Sequence, residues 1–442
     1  MVKPPSTLAS PLRHSFRALR HRNFRLFLAG QFVSHVGTWG QSVALGWLLY
    51  RLTGSKLVLG LSSFLMQIPA LFLSPLAGVW ADRWNRHRLV IATQGLAMIQ
   101  AFSLAALVLS GHAAVVPVLA LSLLLGLANA ADVPARQSFI VEMTGPEDLP
   151  NAIALNSSVF NLARLAGPAL AGPLIAMVGE GQVFLLNGVS YFAVLAALLA
   201  MRIPPSPRRQ PDSAELWAHM KEGLGYVAGF GPIRALLLLL AMVSLVGTPT
   251  TVLLPAFARD ILRGDANTLS WLVSAIGVGA LVGALYMASR RSVRGLSGLI
   301  LVAVTLFGSS LVGLALAPRA IVAVPILAFT GFGMMTLMAS TNTMIQTLVD
   351  PAMRGRVMSF FAVAFMGTAP IGSIVLGAVA DRIGAPWTAG LSGGVCLVAA
   401  AVFARARPGL RAQIRPIYAR LGVLPEVAEG LRAGEEAEAA RR

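Results

Sequence analysis

Two ionisable side chains stand where the chain is otherwise apolar. Arg164 lies about 12 residues inside a long hydrophobic run, roughly 18 Å from its end at the helical rise. His35 lies about 10 residues into another, roughly 15 Å deep by the same rise. An arginine at that depth costs several kcal/mol unless it faces a polar cavity. The pair therefore predicts an aqueous cavity in which Arg164 draws an anionic or hydrogen-bond-accepting molecule and His35 titrates near neutral pH. His35 belongs to a polar stripe of Gln31, Ser34, His35, Thr38 and Gln41 at helical spacing. The plainer reading pairs Arg164 with Asp132, or with carbonyls freed by nearby prolines, and leaves His35 as a satisfied packing group.

The acids narrow any proton chemistry. All 18 Asp and Glu fall in loops, in tails or near the ends of apolar runs. A proton-coupled carrier commonly needs a titratable group within its pathway, so the coupling candidates reduce to His35 and Asp132, the latter a few turns inside the end of its run. Glu142 lies at that end. The simpler role for Asp132 is an ion pair with Arg83 or Arg86. Nothing in the sequence points to an enzyme: there is no nucleophile constellation, no metal-ligand cluster and no G-x-x-x-x-G-K-[ST] loop. Neither a cofactor nor a metal is expected, and the single cysteine, Cys396, excludes an internal disulfide framework.

The elements that must position these residues are membrane helices. The 442 residues are 56% hydrophobic and only 12% charged, about half the charge of a soluble domain. Twelve apolar segments are long enough to cross some 30 Å of hydrocarbon: 25–50, 57–80, 88–110, 114–139, 152–178, 182–201, 234–257, 268–289, 296–317, 321–347, 356–380 and 386–404. A soluble all-α core would need charged helix faces that these segments lack. The formal charge of +17 would suggest nucleic acid in a soluble chain, but its distribution says otherwise. With alternating spans, 28 of the 35 Lys and Arg fall on the side of the termini and six on the other, Arg164 being inside a span. By the positive-inside rule both termini are cytoplasmic, and nucleic acid drops out as a partner.

The division expected is a segment 1–24, a six-helix bundle 25–201, a linker 202–233, a second bundle 234–404 and a tail 405–442. The linker opens with Pro204, Pro205 and Pro207 and then places Leu216, Met220, Leu224 and Val227 at helical spacing over Ala214 to Val227, which predicts an amphipathic helix on the membrane surface. The tail, with Pro408, Pro416 and Pro425, is expected to be mobile. The two bundles share a plan. A shift of 205 positions superposes Gly126 on Gly331, Pro146 on Pro351, Gly167 on Gly372 and Gly172 on Gly377. A parallel duplication implies a pseudo-twofold axis along the membrane normal and a site between halves that rock. The chemistry is not duplicated: Asn129, Asp132, Arg136 and Arg164 meet Met334, Leu337, Thr341 and Ala369.

After the second span the chain reads Gly78-Val-Trp-Ala-Asp82-Arg83-Trp-Asn85-Arg86-His87-Arg88. This resembles the loop signature of the major facilitator superfamily, with Asn85 in place of a glycine and retained because Asn tolerates left-handed backbone. Asn23 to Gln31, Gly37-Thr-Trp-Gly-Gln41, Pro134-Ala-Arg-Gln137, Asn151 to Asn156 and Arg354-Gly-Arg356-Val-Met-Ser359 resemble the branch of enterobactin exporters and transmembrane secretion effectors, over about residues 15–405. Arg164-Leu-Ala-Gly167-Pro168-Ala-Leu-Ala-Gly172-Pro173 is similar to a signature of proton-coupled antiporters in that superfamily. Its glycines and prolines favour a bending, sliding helix, so Gly167, Pro168, Gly172, Gly372 and Gly377 are the packing candidates.

The resemblance implies an all-α membrane protein of twelve helices in two pseudo-symmetric six-helix bundles. It implies a cytoplasmic gate of Gly78, Asp82, Arg83, Arg86 and Asp132, and a cavity lined by spans one, four, seven and ten. Gln31, His35, Thr38, Asn129, Arg164, Thr248 and Asn342 are then the substrate candidates. The function expected is export of a small organic molecule, siderophore-like or amphiphilic, across a bacterial inner membrane by alternating access, with protons as the coupling partner and a monomer as the working unit. A facilitator or importer of organic anions is the first rival. A non-transporting receptor or secretion scaffold is the second, and it would need a soluble appendage that the chain does not display.

Overall fold

The computed structural model describes residues 16–83, 85–201, 213–290 and 292–420, with side chains for all of these except 74–83, 213–220 and 420. Gly78, Asp82 and Arg83 are among those whose side chains lie outside the described set, as do the proline-rich start of the linker and the residues past 420.

Among the described residues thirteen helices follow one another. The first six are α1 (Arg22–Thr53), α2 (Lys56–Arg83), α3 (Arg86–Leu109), α4 (115–144), α5 (146–178) and α6 (Glu180–Leu199). After the linker helix α7 (Ser213–Gly229) come α8 (Gly231–Ile261), α9 (Ala266–Ser289), α10 (Leu296–Ala315), α11 (Ala320–Leu348), α12 (Pro351–Ile383) and α13 (Ala385–Arg420). Among the described residues ten helical segments meet the length and hydropathy needed to cross a bilayer, and one of them, Val115–Val178, supplies both α4 and α5. The chain turns between those two at Gly145, whose φ of 70° and ψ of 172° are open to glycine almost alone. With α1, 32 residues long and carrying the polar stripe, this makes twelve crossings.

The core is divided, and its division defines the shape. One apolar cluster joins Leu45, Leu48 and Phe184 of the first half to Leu253, Phe257 and Leu272 of the second. Two further clusters do not mix: Phe24, Phe27, Phe139 and Tyr191 belong to the first half, and Ile233, Phe307, Ile345 and Phe403 to the second. The shared cluster lies at the face away from the termini, here the far face. The separate clusters lie toward the face that carries both ends of the chain, the terminal face. The two bundles are thus fused at one end and parted at the other.

The glycines matched by the repeat show why the helices can approach. A Cβ on Gly126 would sit 2.6 Å from the carbonyl oxygen of Leu65 on α2, and one on Gly331 would sit 2.0 Å from that of Ile276 on α9. Gly167 brings α5 against α1 at Val36 and Trp39, while Gly372 brings α12 against α8 at Leu245. Gly172 meets Asn267 and Ser270 across the halves, and Gly377 meets Lys56 and Leu57 across them in the other sense. Each pair makes the same contact twice, once per half, as a twofold axis requires.

Hydrogen bonds close the far face. Asp381 on α12 accepts from the Lys56 amide at 2.7 Å, the Leu57 amide at 3.1 Å and the Ser55 hydroxyl at 2.6 Å, so a carboxylate of the second half caps a helix of the first. Burial alone would raise the Asp381 pKa, but these donors outweigh it and hold the carboxyl below its ordinary value. Tyr50 of α1 donates to Asp260 of α8 beside it.

At the terminal face the N-terminal turn docks on the α4–α5 junction. Asp148, fully buried, receives Arg17, Arg20 at 2.8 Å and His21 at 2.7 Å. The His21 hydrogen bond and the two guanidiniums hold its carboxyl low. The linker helix packs on the second half, through Glu222 to Arg356 at 2.7 Å and the buried Val227.

Three local expectations are revised. Residues 405–420, expected as a mobile tail, continue α13 through Pro408 and Pro416, because Ile414 and Ala419 are buried against the second half. Asn85 is not left-handed: at φ −69° it is the N-cap of α3, its side-chain oxygen accepting from the Arg88 amide at 3.1 Å. Arg86 does not reach Asp132. It pairs with Glu142 at 2.8 Å, and Glu142 stands ten residues further along α4, about 15 Å nearer the terminal face.

Candidate functional site

The polar stripe of α1 divides between two faces. Gln41 bonds Gln100 of α3 at 3.0 Å and Asn187 of α6 at 2.8 Å, and Thr38 bonds the Ser34 carbonyl at 2.9 Å and Tyr191 of α6 at 3.3 Å. Those side chains knit the first bundle internally. His35 and Trp39 turn toward α5, and Gln31 and His35 toward α4. The physical reason is the helical repeat: residues 31, 35 and 39 lie one turn apart on one face, while 34, 38 and 41 lie on the adjoining one.

On the first face a charged network sits at membrane depth. Arg136 of α4 donates from Nη1 to the Gln31 Oε1 at 3.0 Å and to the His35 Nε2 at 3.0 Å, and its Nε lies 3.3 Å from Asp132. Asp132, 3% exposed, also accepts from Thr93 and Gln94 of α3, each at 2.9 Å. Three polar partners offset the burial of this acid. A guanidinium has only donors, so the His35 nitrogen facing it must be an acceptor, and the hydrogen-bond network assigns a neutral imidazole protonated at Nδ1. A proton added at Nε2 would set two cations 3.0 Å apart and push Arg136 toward Asp132.

An aromatic bridge leads from that network to Arg164. The ring of Phe160 stands edge-on to His35 at 5.5 Å and to Trp39 at 5.8 Å, and the Arg164 guanidinium carbon lies 5.5 Å from the Trp39 ring centroid. Cation–π contact stabilises the charge only partly. Among the described residues no carboxylate pairs with Arg164, so neither Asp132 nor any other acid there neutralises it. Its own residue backs onto Gly277 of α9, at the seam between the halves.

The remaining candidates are more dispersed. Asn129 is exposed, two turns along α4 from Arg136. Asn342 accepts from Gln346 at 2.8 Å on α11. Thr248 begins the 3-10 segment Thr248–Leu253 that breaks α8, and with Thr250, Thr330 and Met334 it lines a cleft of about 10 Å³ inside the second half, room for a single water. The second half therefore contributes interrupted backbone, including π turns at Phe257–Ile261 and Val363–Gly367, where the first contributes charge. Arg136 and Phe160 were not singled out from sequence. Their signals were spacing: Arg136 is four residues from Asp132, and Phe160 four from Arg164.

A family model described as transmembrane secretion effector matches residues 13–415. The chain belongs to that family. It is a branch of the major facilitator superfamily and not a family of enzymes. The staphyloferrin A transporter of Staphylococcus aureus is 23% identical over 81% of this chain and 90% of its own length. The multidrug efflux pump Tap of Mycolicibacterium fortuitum is 26% identical over 81% of this chain and 89% of its own. Among solved structures, a bacterial homologue of the iron transporter ferroportin in an inward-facing state superposes with a TM-score of 0.66 at 18% identity. That match covers 87% of this chain and 98% of that one, a likeness of fold. The protein is accordingly a multi-pass membrane protein that transports small organic molecules.

Proposed function

We propose that this secretion effector exports a siderophore-like or amphiphilic organic molecule from the bacterial cytoplasm in exchange for protons, with the terminal face cytoplasmic. Its two moving bodies are residues 25–201 and 234–404, tethered by 202–233, and one chain is the working unit. The 28-to-6 distribution of basic residues supports the orientation. On that orientation the bundles are parted toward the cytoplasm, the conformation in which an exporter loads.

The observation that carries the reading is Arg164, a cation inside a span with an aromatic face on one side and no carboxylate partner among the described residues. A carboxylate or other acceptor on the substrate is the complement it lacks, while Trp39 and Phe160 suit the apolar body of an amphiphile. His35 and Arg136 carry the proton step: protonating His35 breaks its bond to Arg136, Arg136 retreats onto Asp132, and the wall that His35 shares with Phe160 is rearranged. Gln31, Asn129, Thr248 and Asn342 provide lesser contacts, and Gly78, Asp82, Arg83 and Arg86 gate the cytoplasmic end.

The test is transport of a carboxylate-bearing siderophore and of a cationic dye by Arg164→Ala protein in proteoliposomes. A charge-assisted hydrogen bond contributes about 1.5–3 kcal/mol, so affinity for the anion falls roughly 10- to 150-fold while the dye is affected little. Unchanged affinity for the anion removes Arg164 from the binding site. Arg164 equally favours a facilitator of organic anions, and flux indifferent to an imposed pH gradient would decide for that second reading.

A further inference from the structure

Where α13 continues past the membrane-spanning stretch, its arginines converge on the start of α10. Arg407, Arg411 and Arg415 recur every fourth residue along one side of α13. Arg411 Nε reaches the Ser297 hydroxyl at 3.4 Å, and Arg407 lies over Gly298, where a Cβ would come within 2.7 Å of its Nη2. Arg290, at the end of α9, donates to the Arg294 carbonyl at 2.8 Å and brings a fourth guanidinium to the same end of the bundle. Between these elements lies a cavity of about 370 Å³ lined by Arg294, Ser297, Arg411, Arg415 and Tyr418, with Leu296, Met344 and Ile414 as apolar wall.

Three features set this cavity apart from ordinary basic anchoring. Among the described residues, Arg290, Arg407, Arg411 and Arg415 form no ion pair with any carboxylate, whereas Arg51, Arg86, Arg136 and Arg356 each have one. The Tyr418 hydroxyl, the Arg407 Nε and the Arg290 Nε are buried without a hydrogen-bond partner. Like charges are crowded: burial first, and the neighbouring Arg411 second, lower the Arg407 pKa. Arg411 and Arg415 are exposed, and they gather beside the N-terminus of α10, which itself favours anions.

We infer that this cavity binds the phosphate headgroup of an anionic phospholipid, Arg411 and Arg415 holding the phosphate with Tyr418 donating to it. Basic pockets between membrane helices at the level of the headgroups take such lipids. The site opens where α13 leaves the stretch that crosses the hydrocarbon, so the phosphate can enter while the acyl chains stay in the bilayer. It touches none of the residues of the central site. An occupied cavity would tie α9, α10, α11 and α13 into one rigid body, the second half.

Native mass spectrometry of the full chain, titrated with phosphatidylglycerol or phosphatidylcholine, tests the inference. Wild-type protein retains one phosphatidylglycerol in preference to phosphatidylcholine. The Arg411→Ala/Arg415→Ala variant binds phosphatidylglycerol about thirtyfold more weakly, the effect of two arginines near a membrane surface. The Arg411→Lys/Arg415→Lys variant, which keeps the charge and guards against a folding artefact, retains most of the preference. Equal retention of both lipids by wild-type protein overturns the inference, as does unaltered phosphatidylglycerol binding by the alanine variant. Displacement of the lipid by millimolar inorganic phosphate assigns the cavity to a soluble anion and overturns it too.

Discussion

Removing the Asp381 carboxylate should open the far face. In Asp381→Ala protein the amides of Lys56 and Leu57 lose their acceptor, and so does the Ser55 hydroxyl. Loss of an N-cap costs about 0.5–2 kcal/mol, and loss of a negative charge at a helix N-terminus a further 0.3–1 kcal/mol or so. Asp381 is solvent-exposed, which favours the lower end of both ranges. A combined figure of about 0.8 kcal/mol moves the ratio of far-closed to far-open molecules roughly fourfold. The contacts at Gly60, Gly172 and Gly377 remain, so the fold persists. Spin labels placed through His112→Cys and Arg319→Cys, on exposed far-face loops of the two halves, read the separation directly by pulsed dipolar spectroscopy. Cys396 is fully buried and leaves the background quiet.

The pH dependence follows from the sign of the shift. Asp381 has its folded pKa lowered, so the latch is intact above the ordinary carboxylate value and is lost only as pH falls through the lowered one. The wild-type distance distribution should therefore be unchanged at this contact between pH 8 and pH 5, while Asp381→Ala broadens it at every pH. A variant indistinguishable from wild type would refute the latch.

Three other perturbations separate the parts of the account. Asp132→Ala leaves Arg136 buried without its acid and should cost about 3–5 kcal/mol in thermal unfolding, with part recovered in Asp132→Ala/Arg136→Ala; strictly additive losses would deny the pair. His35→Gln keeps a hydrogen-bond acceptor for Arg136 but cannot titrate, so the protein should remain folded and bind substrate while its flux no longer responds to pH; retention of that response would exclude His35 from coupling. Gly172→Ala, which crowds Ser270 across the halves, should disfavour the far-closed form. Gly372→Ala, which meets a carbonyl within its own half at 1.8 Å, should lower stability by about 1–3 kcal/mol. Equal effects of the two on the label distances would contradict the assignment of inter-half and intra-half contacts.

The helices were legible because lipid imposes one constraint on every span: an uninterrupted apolar length with its backbone satisfied internally. The repeat was legible because glycine is needed wherever two backbones meet, and both halves make the same meetings. The site was only partly so. Arg164 and His35 stood out by depth, but a stripe at helical spacing is wide enough to serve two faces, and nothing local told Thr38 and Gln41, which hold α6 and α3, from His35, which meets Arg136. Arg136 stands in the sequence only as one of the polar residues that the second half does not repeat, since the terminal-face end of α4 runs beyond the hydrocarbon and hides how deep Asp132 and Arg136 lie. The extension of α13 was obscured by its prolines, whose helix-breaking cost is offset by burial of Ile414 and Ala419.

The central claim is exchange of an organic substrate for protons through one cavity between two rocking halves. Purified protein in liposomes, loaded with a carboxylate-bearing siderophore and given an imposed pH gradient, measures it directly by recording substrate and internal pH together. The account predicts uphill substrate movement with simultaneous opposite proton flux, both abolished by a protonophore and proton flux lost in His35→Gln. Substrate movement that proceeds equally with the gradient collapsed, and without any change in internal pH, would contradict it.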